Sequence, residues 1–235
     1  MRLDKYLCEA GLGTRTQVKK LLKSGVVAVN GRTVFRPEQK LSETDRVEVS
    51  GKEISVSEFE YWMLNKPDGY VSATEDRTFP TVLELLPEGA RGDLFPVGRL
   101  DRDTEGLLLL TNEGGLAHDL LSPRRHVDKE YYVRAEGRLT EEDCRAFAAG
   151  MTLDDGLVCQ PAELEILRAD AAGSEAHVTL REGKFHQVKR MLAQRGKPVL
   201  YLKRVKMGNL TLDPALAPGE YRYLTETELE ELRNF

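Results

Sequence analysis

Four consecutive leucines at 107–110 constrain this chain more than any other feature. Side chains alternate across a strand, so a strand apolar at every position is buried on both faces. The loop that feeds it, Gly98-Arg99-Leu100-Asp101-Arg102-Asp103-Thr104-Glu105-Gly106, is then held rigidly where it enters the core. A carboxylate on such a loop can be aimed in advance. Aspartate is ionised at neutral pH, and an ionised carboxylate can act as a nucleophile. An Asp in a loop is also a common cap or turn residue, and the residues alone leave both readings open for Asp101. Asp103 adds a second carboxylate and with it the idea of a paired-carboxylate hydrolase. Alternating positions of a strand point apart, which weakens that pair.

The 235 residues fit a large domain with a smaller one. Leu3, Tyr6 and Leu7 have helical spacing, and Gly11 and Gly13 break that helix. A second helix begins at Thr14 with Gln17 as the partner of a capping box. It buries Val18, Leu21 and Leu22, and Gly25 suits the left-handed position after its end. A strand over 26–29, an Asn30-Gly31 turn and a returning strand over 33–35 read as a hairpin, with one more strand over 47–49. Residues 51–60 are polar and read as a linker, which divides the chain into 1–58 and 59–235. Beyond it, strands are predicted at 61–65, 107–110, 131–135 and 177–180. Helices are predicted at 141–149, 187–195 and 226–232, the first capped by Thr140 and the last by a Thr225–Glu228 box. Strands and helices do not alternate strictly. The class is therefore α+β, with a largely antiparallel mixed sheet in the second domain.

The formal net charge of −5 argues against nucleic acid, but an average hides local faces. Residues 1–25 carry Arg2, Lys5, Arg15, Lys19, Lys20 and Lys23 against Asp4 and Glu9, a local excess of positive charge in an acidic chain. Cys8, Cys144 and Cys159 are odd in number and widely spaced, which gives neither a disulfide framework nor a zinc site. His118, Asp119, His126 and Asp128 lack metal-ligand spacing, so no metal is expected. No apolar run approaches the roughly 20 residues of a membrane span, and the start lacks a signal-peptide stretch. The expected location is the cytoplasm.

The first fifty residues resemble S4-type RNA-binding domains, through Arg2-Leu3-Asp4-Lys5-Tyr6-Leu7, Thr14-Arg15 through Gly25, and Val26 through Gly31. The segment Gly98-Arg99-Leu100-Asp101, with Thr104 and Gly106 following, resembles the signature of RsuA-type pseudouridine synthases. Leu64-Asn65-Lys66-Pro67, Lys129-Glu130-Tyr131, the run Arg181 to Met191, Leu202-Lys203-Arg204 and Leu216 to Tyr221 extend the likeness in order along nearly the whole chain.

The resemblance implies isomerisation of a uridine in ribosomal RNA, without cofactor or metal. It implies Asp101 as nucleophile, Tyr131 as the active-site tyrosine and Lys189 as the cation that keeps Asp101 charged. Asp103 falls on a variable position of the motif. Arg99, Gln187 and Arg190 are candidate RNA contacts in the second domain, and Arg2, Arg15, Lys19, Lys20 and Lys23 in the first. The length points to small-subunit RNA, with large-subunit RNA as the alternative. The partner is ribosomal RNA or an assembly intermediate, met by a monomer with no membrane association. The rival class is a non-catalytic RNA-binding or ribosome-assembly protein.

Overall fold

The computed structural model describes the chain apart from Gly11, Glu43, residues 55–58 and Phe235, and apart from the side chains of Glu9 and Pro123. It separates into two compact units: Met1–Glu60 with Pro87–Asp93, and Tyr61–Leu86 with Leu94–Phe235.

The first unit contains α1 (Leu3–Glu9), α2 (Arg15–Lys23), β1 (Val27–Val29), β2 (Arg32–Thr33), β3 (Val47–Val49) and β4 (Lys52–Ile54). At the start of α2 the Thr14 amide donates to Gln17 Oε1 at 2.7 Å, and the Gln17 amide donates to Thr14 Oγ1 at 3.4 Å. Val18 and Leu22 are buried with Leu3, Leu7, Val27 and Val47, and Leu21 packs partly buried against them. Gly25 takes φ +74° after the helix. Asn30 and Gly31 both have positive φ, as the tight turn between β1 and β2 requires.

The linker reading needs correction. Residues 52–54 form β4, which pairs antiparallel with β3 through a turn at Ser50 and Gly51. The strand is polar because it lies at the sheet edge, in the order β2-β1-β3-β4, where only one residue faces the core. Residues 55–58, and with them the expected boundary after 58, lie outside the described residues, as does the helix break at Gly11.

The second unit runs β5 (Tyr61–Lys66), β6 (Phe95–Pro96), β7 (Glu105–Thr111), α3 (Gly114–Leu121), β8 (Lys129–Ala135), α4 (Glu141–Ala149), β9 (Met151–Thr152) and β10 (Val158–Cys159). It continues through β11 (Glu163–Asp170), β12 (Gly173–Leu180), α5 (Gln187–Gln194), β13 (Val199–Met207), β14 (Leu210–Thr211), β15 (Tyr221–Tyr223) and α6 (Glu226–Arg233). Among the described residues one large sheet has the order β11-β12-β8-β13-β7-β5-β15, with β6 pairing β7 and β14 pairing β13 outside this order. All its pairings are antiparallel except β7 with β13. This is the expected α+β architecture.

The four leucines of β7 are each 1% exposed or less. Leu107 and Leu109 share a core with Leu116, Ala117 and Leu120 of α3. The parallel junction sets Glu105 opposite Lys203 and Gly106 opposite Arg204. A Cβ on Gly106 would stand 2.2 Å from the Arg204 carbonyl oxygen, so glycine is what lets the two strands meet. Arg204 is buried, and its Nε donates to the Leu107 carbonyl at 2.8 Å, tying β13 to β7 a second time.

Candidate active site

The loop before β7 is a turn and not a strand. The Thr104 amide donates to the Asp101 carbonyl at 3.0 Å and closes it. Lys66, at the end of β5, is fully buried beneath the turn. Its Nζ donates to the carbonyls of Thr104 at 2.8 Å, and of Arg102 and Pro67 at 3.0 Å each. The Ser72 hydroxyl accepts from the Leu100 amide at 3.1 Å and donates to the Leu100 carbonyl at 3.0 Å. The backbone on both sides of Asp101 is thus pinned, and its carboxylate is preorganised.

Burial pushes the Lys66 ammonium down to about 8, against the pull of Asp68 and Asp103. Below about pH 8 the residue is protonated in folded and unfolded chains alike, and folding carries the full cost of burying the charge. As pH rises toward the ordinary 10.5 the folded chain has lost the proton and the unfolded chain has not. The stability that Lys66 contributes therefore rises across this window. A lysine-selective NMR titration is expected to place the Lys66 midpoint near pH 8; a midpoint near 10.5 refutes the desolvation.

Asp101 opens into a pocket walled by Arg99, Thr104, Tyr131, Leu180, His186 and Leu202, among others. Among the described lining residues it is the one carboxylate. Lys189 reaches it from α5, Nζ lying 3.4 Å from Asp101 Oδ2 and 2.5 Å from Asp103 Oδ1. A shared cation overturns the expectation that alternation separates the two carboxylates: no strand alternates here, because the segment is a turn. Asp103 is mostly exposed and outside the pocket wall. Its burial works to raise its pKa, but the hydrogen bond and charge of Lys189 prevail and hold the carboxyl below its ordinary value.

Tyr131 is 9% exposed on β8, opposite Val178 of β12 and Arg204 of β13, and its ring faces the pocket. Tyr132 points to the other face, where its hydroxyl donates to Glu175 at 2.7 Å. His186 Nε2 lies 3.5 Å from Asp101 Oδ1. Its backbone is left-handed, φ +51°, a conformation that costs a non-glycine residue on the order of 1 kcal/mol.

The remaining candidates separate. Arg99 lines the pocket. Gln187 lines it too, but its buried side chain knits the preceding loop, donating to Glu182 at 2.7 Å and accepting from the Lys184 amide at 3.1 Å. Arg190 turns to Asp155 at 2.5 Å and is not among the lining residues. In the first unit, Arg15, Lys19, Lys20 and Lys23 are exposed on α2 or at its start, while the Arg2 guanidinium pairs with Asp4 at 2.7 Å. Among the described residues no acidic, histidine or cysteine group gathers as a metal site, and no helix is long and apolar enough to cross a membrane.

Lys66 and His186 carried no assigned role in the sequence. Both stand in motifs visible there, Asn65-Lys66-Pro67 and Phe185-His186-Gln187. Only the fold brings positions 66, 101 and 186 together.

Known proteins are similar to this chain in sequence and in fold. Residues 60–194 match the RNA pseudouridylate synthase family, and residues 1–47 match the S4 domain. An uncharacterized RNA pseudouridine synthase of Bacillus subtilis is 47% identical, over 99% of this chain and 98% of its own length. The ribosomal small subunit pseudouridine synthase A of Vibrio cholerae is 42% identical, over 99% of each chain. A crystal structure of a pseudouridylate synthase covers 99% of both chains at 37% identity with a TM-score of 0.70. With the match running through the pinned aspartate loop, the tyrosine strand and the lysine helix, the chain belongs to the RNA pseudouridine synthases and carries an S4 domain ahead of its catalytic domain.

Proposed function

We propose that this protein converts a uridine of small-subunit ribosomal RNA to pseudouridine with Asp101 as nucleophile, acting as a cytoplasmic monomer on RNA or on an assembly intermediate. The reading rests above all on Asp101, which lines a pocket with Tyr131 and has the Lys189 ammonium 3.4 Å from its Oδ2. The ~40% full-length identity to small-subunit synthases supports the choice of RNA. The uridine leaves its stack to enter the pocket. Asp101 attacks base or sugar and the N1–C1′ bond breaks; uracil turns and joins C1′ through C5, the bond to Asp101 breaks again, and the C5 proton leaves while N1 takes one up. Substrate and product are isomers, so no oxidant or reductant is consumed. Lys189, with its ammonium 3.4 Å away, orients the carboxylate. Tyr131 offers a ring to stack on the base and a hydroxyl for proton transfer.

Carbodiimide labelling and primer extension on both ribosomal RNAs test this reading. One new stop on the small-subunit RNA after incubation with the protein is expected. A stop on the large-subunit RNA alone refutes the substrate. No stop on either RNA or on an assembly intermediate, with tight binding retained, favours a binding protein.

Lysines 19, 20 and 23 of α2 are proposed to meet phosphates, which position a protein without reading sequence. Replacing all three by Ala is expected to lower the magnitude of the slope of log affinity against log salt by about 2. An unchanged slope removes this helix from the RNA contact.

A further inference from the structure

Phe185 is 74% exposed, the most exposed of the large hydrophobic side chains described. Slack in the loop does not account for this. Glu182 accepts from Gln160 at 2.9 Å and from Gln187 at 2.7 Å, and pairs with Lys184 at 2.9 Å. The Lys184 ammonium also donates to the Val158 carbonyl. The loop is anchored on both sides, and the apolar ring is held out in water. It stacks on His186, with centroids 3.8 Å apart and planes 18° from parallel. His186 in turn lies 3.5 Å from the nucleophile. The two rings form a short column whose inner member lines the pocket and whose outer member faces solvent.

A base pulled into the pocket leaves a gap in the RNA stack, and every neighbouring base offers a π-face to whatever fills it. An aromatic ring on a rigid loop, stacked on a second ring at the site, has the chemistry to fill that gap. We propose that Phe185 is a stacking residue that inserts against the bases flanking the target uridine and holds it extruded, with His186 as its backing. The inference rests on the pseudouridylation reading and adds the element that pays for unstacking.

The test uses the full-length protein and small-subunit ribosomal RNA transcript. Phe185→Ala is expected to lower the single-turnover rate on the order of 10- to 100-fold, as loss of one base-stacking contact implies. Phe185→Trp is expected to restore most of it. Because the side chain is exposed, both variants are expected to melt with the wild type. Phe185→Trp also reports directly: its emission beyond that of the wild type, whose own Trp62 is buried, is expected to be quenched by the transcript, even with Asp101→Asn in place. A wild-type rate for Phe185→Ala overturns the proposal, as does emission that saturating RNA leaves unchanged. If the wild type converts no uridine but the tryptophan is quenched, the catalytic reading fails and the stacking contact stands.

Discussion

Replacing Asp101 with Asn is expected to slow pseudouridine formation by at least about 10⁴-fold in single turnover and to leave RNA affinity within about threefold. The two side chains have nearly the same shape, so the pinned turn persists: Lys66 and Ser72 hold backbone atoms and not the carboxylate. The amide is not a nucleophile, and this step has no substitute on the pocket wall, where Asp101 is the one carboxylate among the described residues. Lys189 keeps a partner in Asp103, so the variant does not strand a cation. Quench-flow with pseudouridine-specific labelling reads the rate, and filter binding reads the affinity. Conversion at a wild-type rate transfers the nucleophile elsewhere, with Asp103→Asn as the next variant.

Gly106→Ala carries the largest expected effect on stability. The added methyl meets the Arg204 carbonyl at 2.2 Å and the Arg204 amide nitrogen at 2.8 Å, and these are backbone atoms that no rotamer change relieves. Gly106 also sits at φ +102°, where an L side chain is strained in any surroundings. Relief requires β7 and β13 to part at the one parallel junction of the sheet. That also disturbs the Arg204–Leu107 hydrogen bond and the turn carrying Asp101. A loss of more than about 4 kcal/mol in urea unfolding is expected, beyond the range of ordinary substitutions. A loss under about 1 kcal/mol shows that the strands stand further apart than this junction places them.

Much of this architecture is visible in the chain because local and tertiary signals agree there. Thr14, Thr140 and Thr225 open their helices where side-chain chemistry says they should. The leucines of β7 are buried on both faces as uniform apolarity requires. The hidden elements are those whose local chemistry is silent or contrary. The α3 helix begins at Gly114-Gly115, poor helix formers, and Glu113 makes no side-chain cap. The strand β13 reads as lysine, arginine and tyrosine among aliphatics, because Arg204 is buried by its hydrogen bond to β7 and not by hydrophobicity. The edge strand β4 hides in polar sequence behind a Ser-Gly turn. At the site, the motif picks out Asp101, but the turn that lets Asp103 share Lys189 depends on Lys66 below it, a contact across 38 positions.

The parallel pairing of β7 with β13 also fixes an order of events on the ribosome that makes this chain. The nascent chain emerges at roughly 5–20 residues per second, and strands paired over long separations wait for the later partner. The strand pairings β1–β2, β1–β3 and β3–β4 and the apolar core they cover lie within the first sixty residues and can condense early. Asp101 emerges long before position 203, the partner of Glu105, has been synthesised. For that interval the growing polypeptide has Lys66 and Ser72, which pin the Gly-Arg-Leu-Asp turn, but lacks the strand that pairs beside Glu105 and Gly106. The topology therefore lets the S4 end of the molecule condense first and completes the sheet beside the Asp101 turn only after β13 has been made.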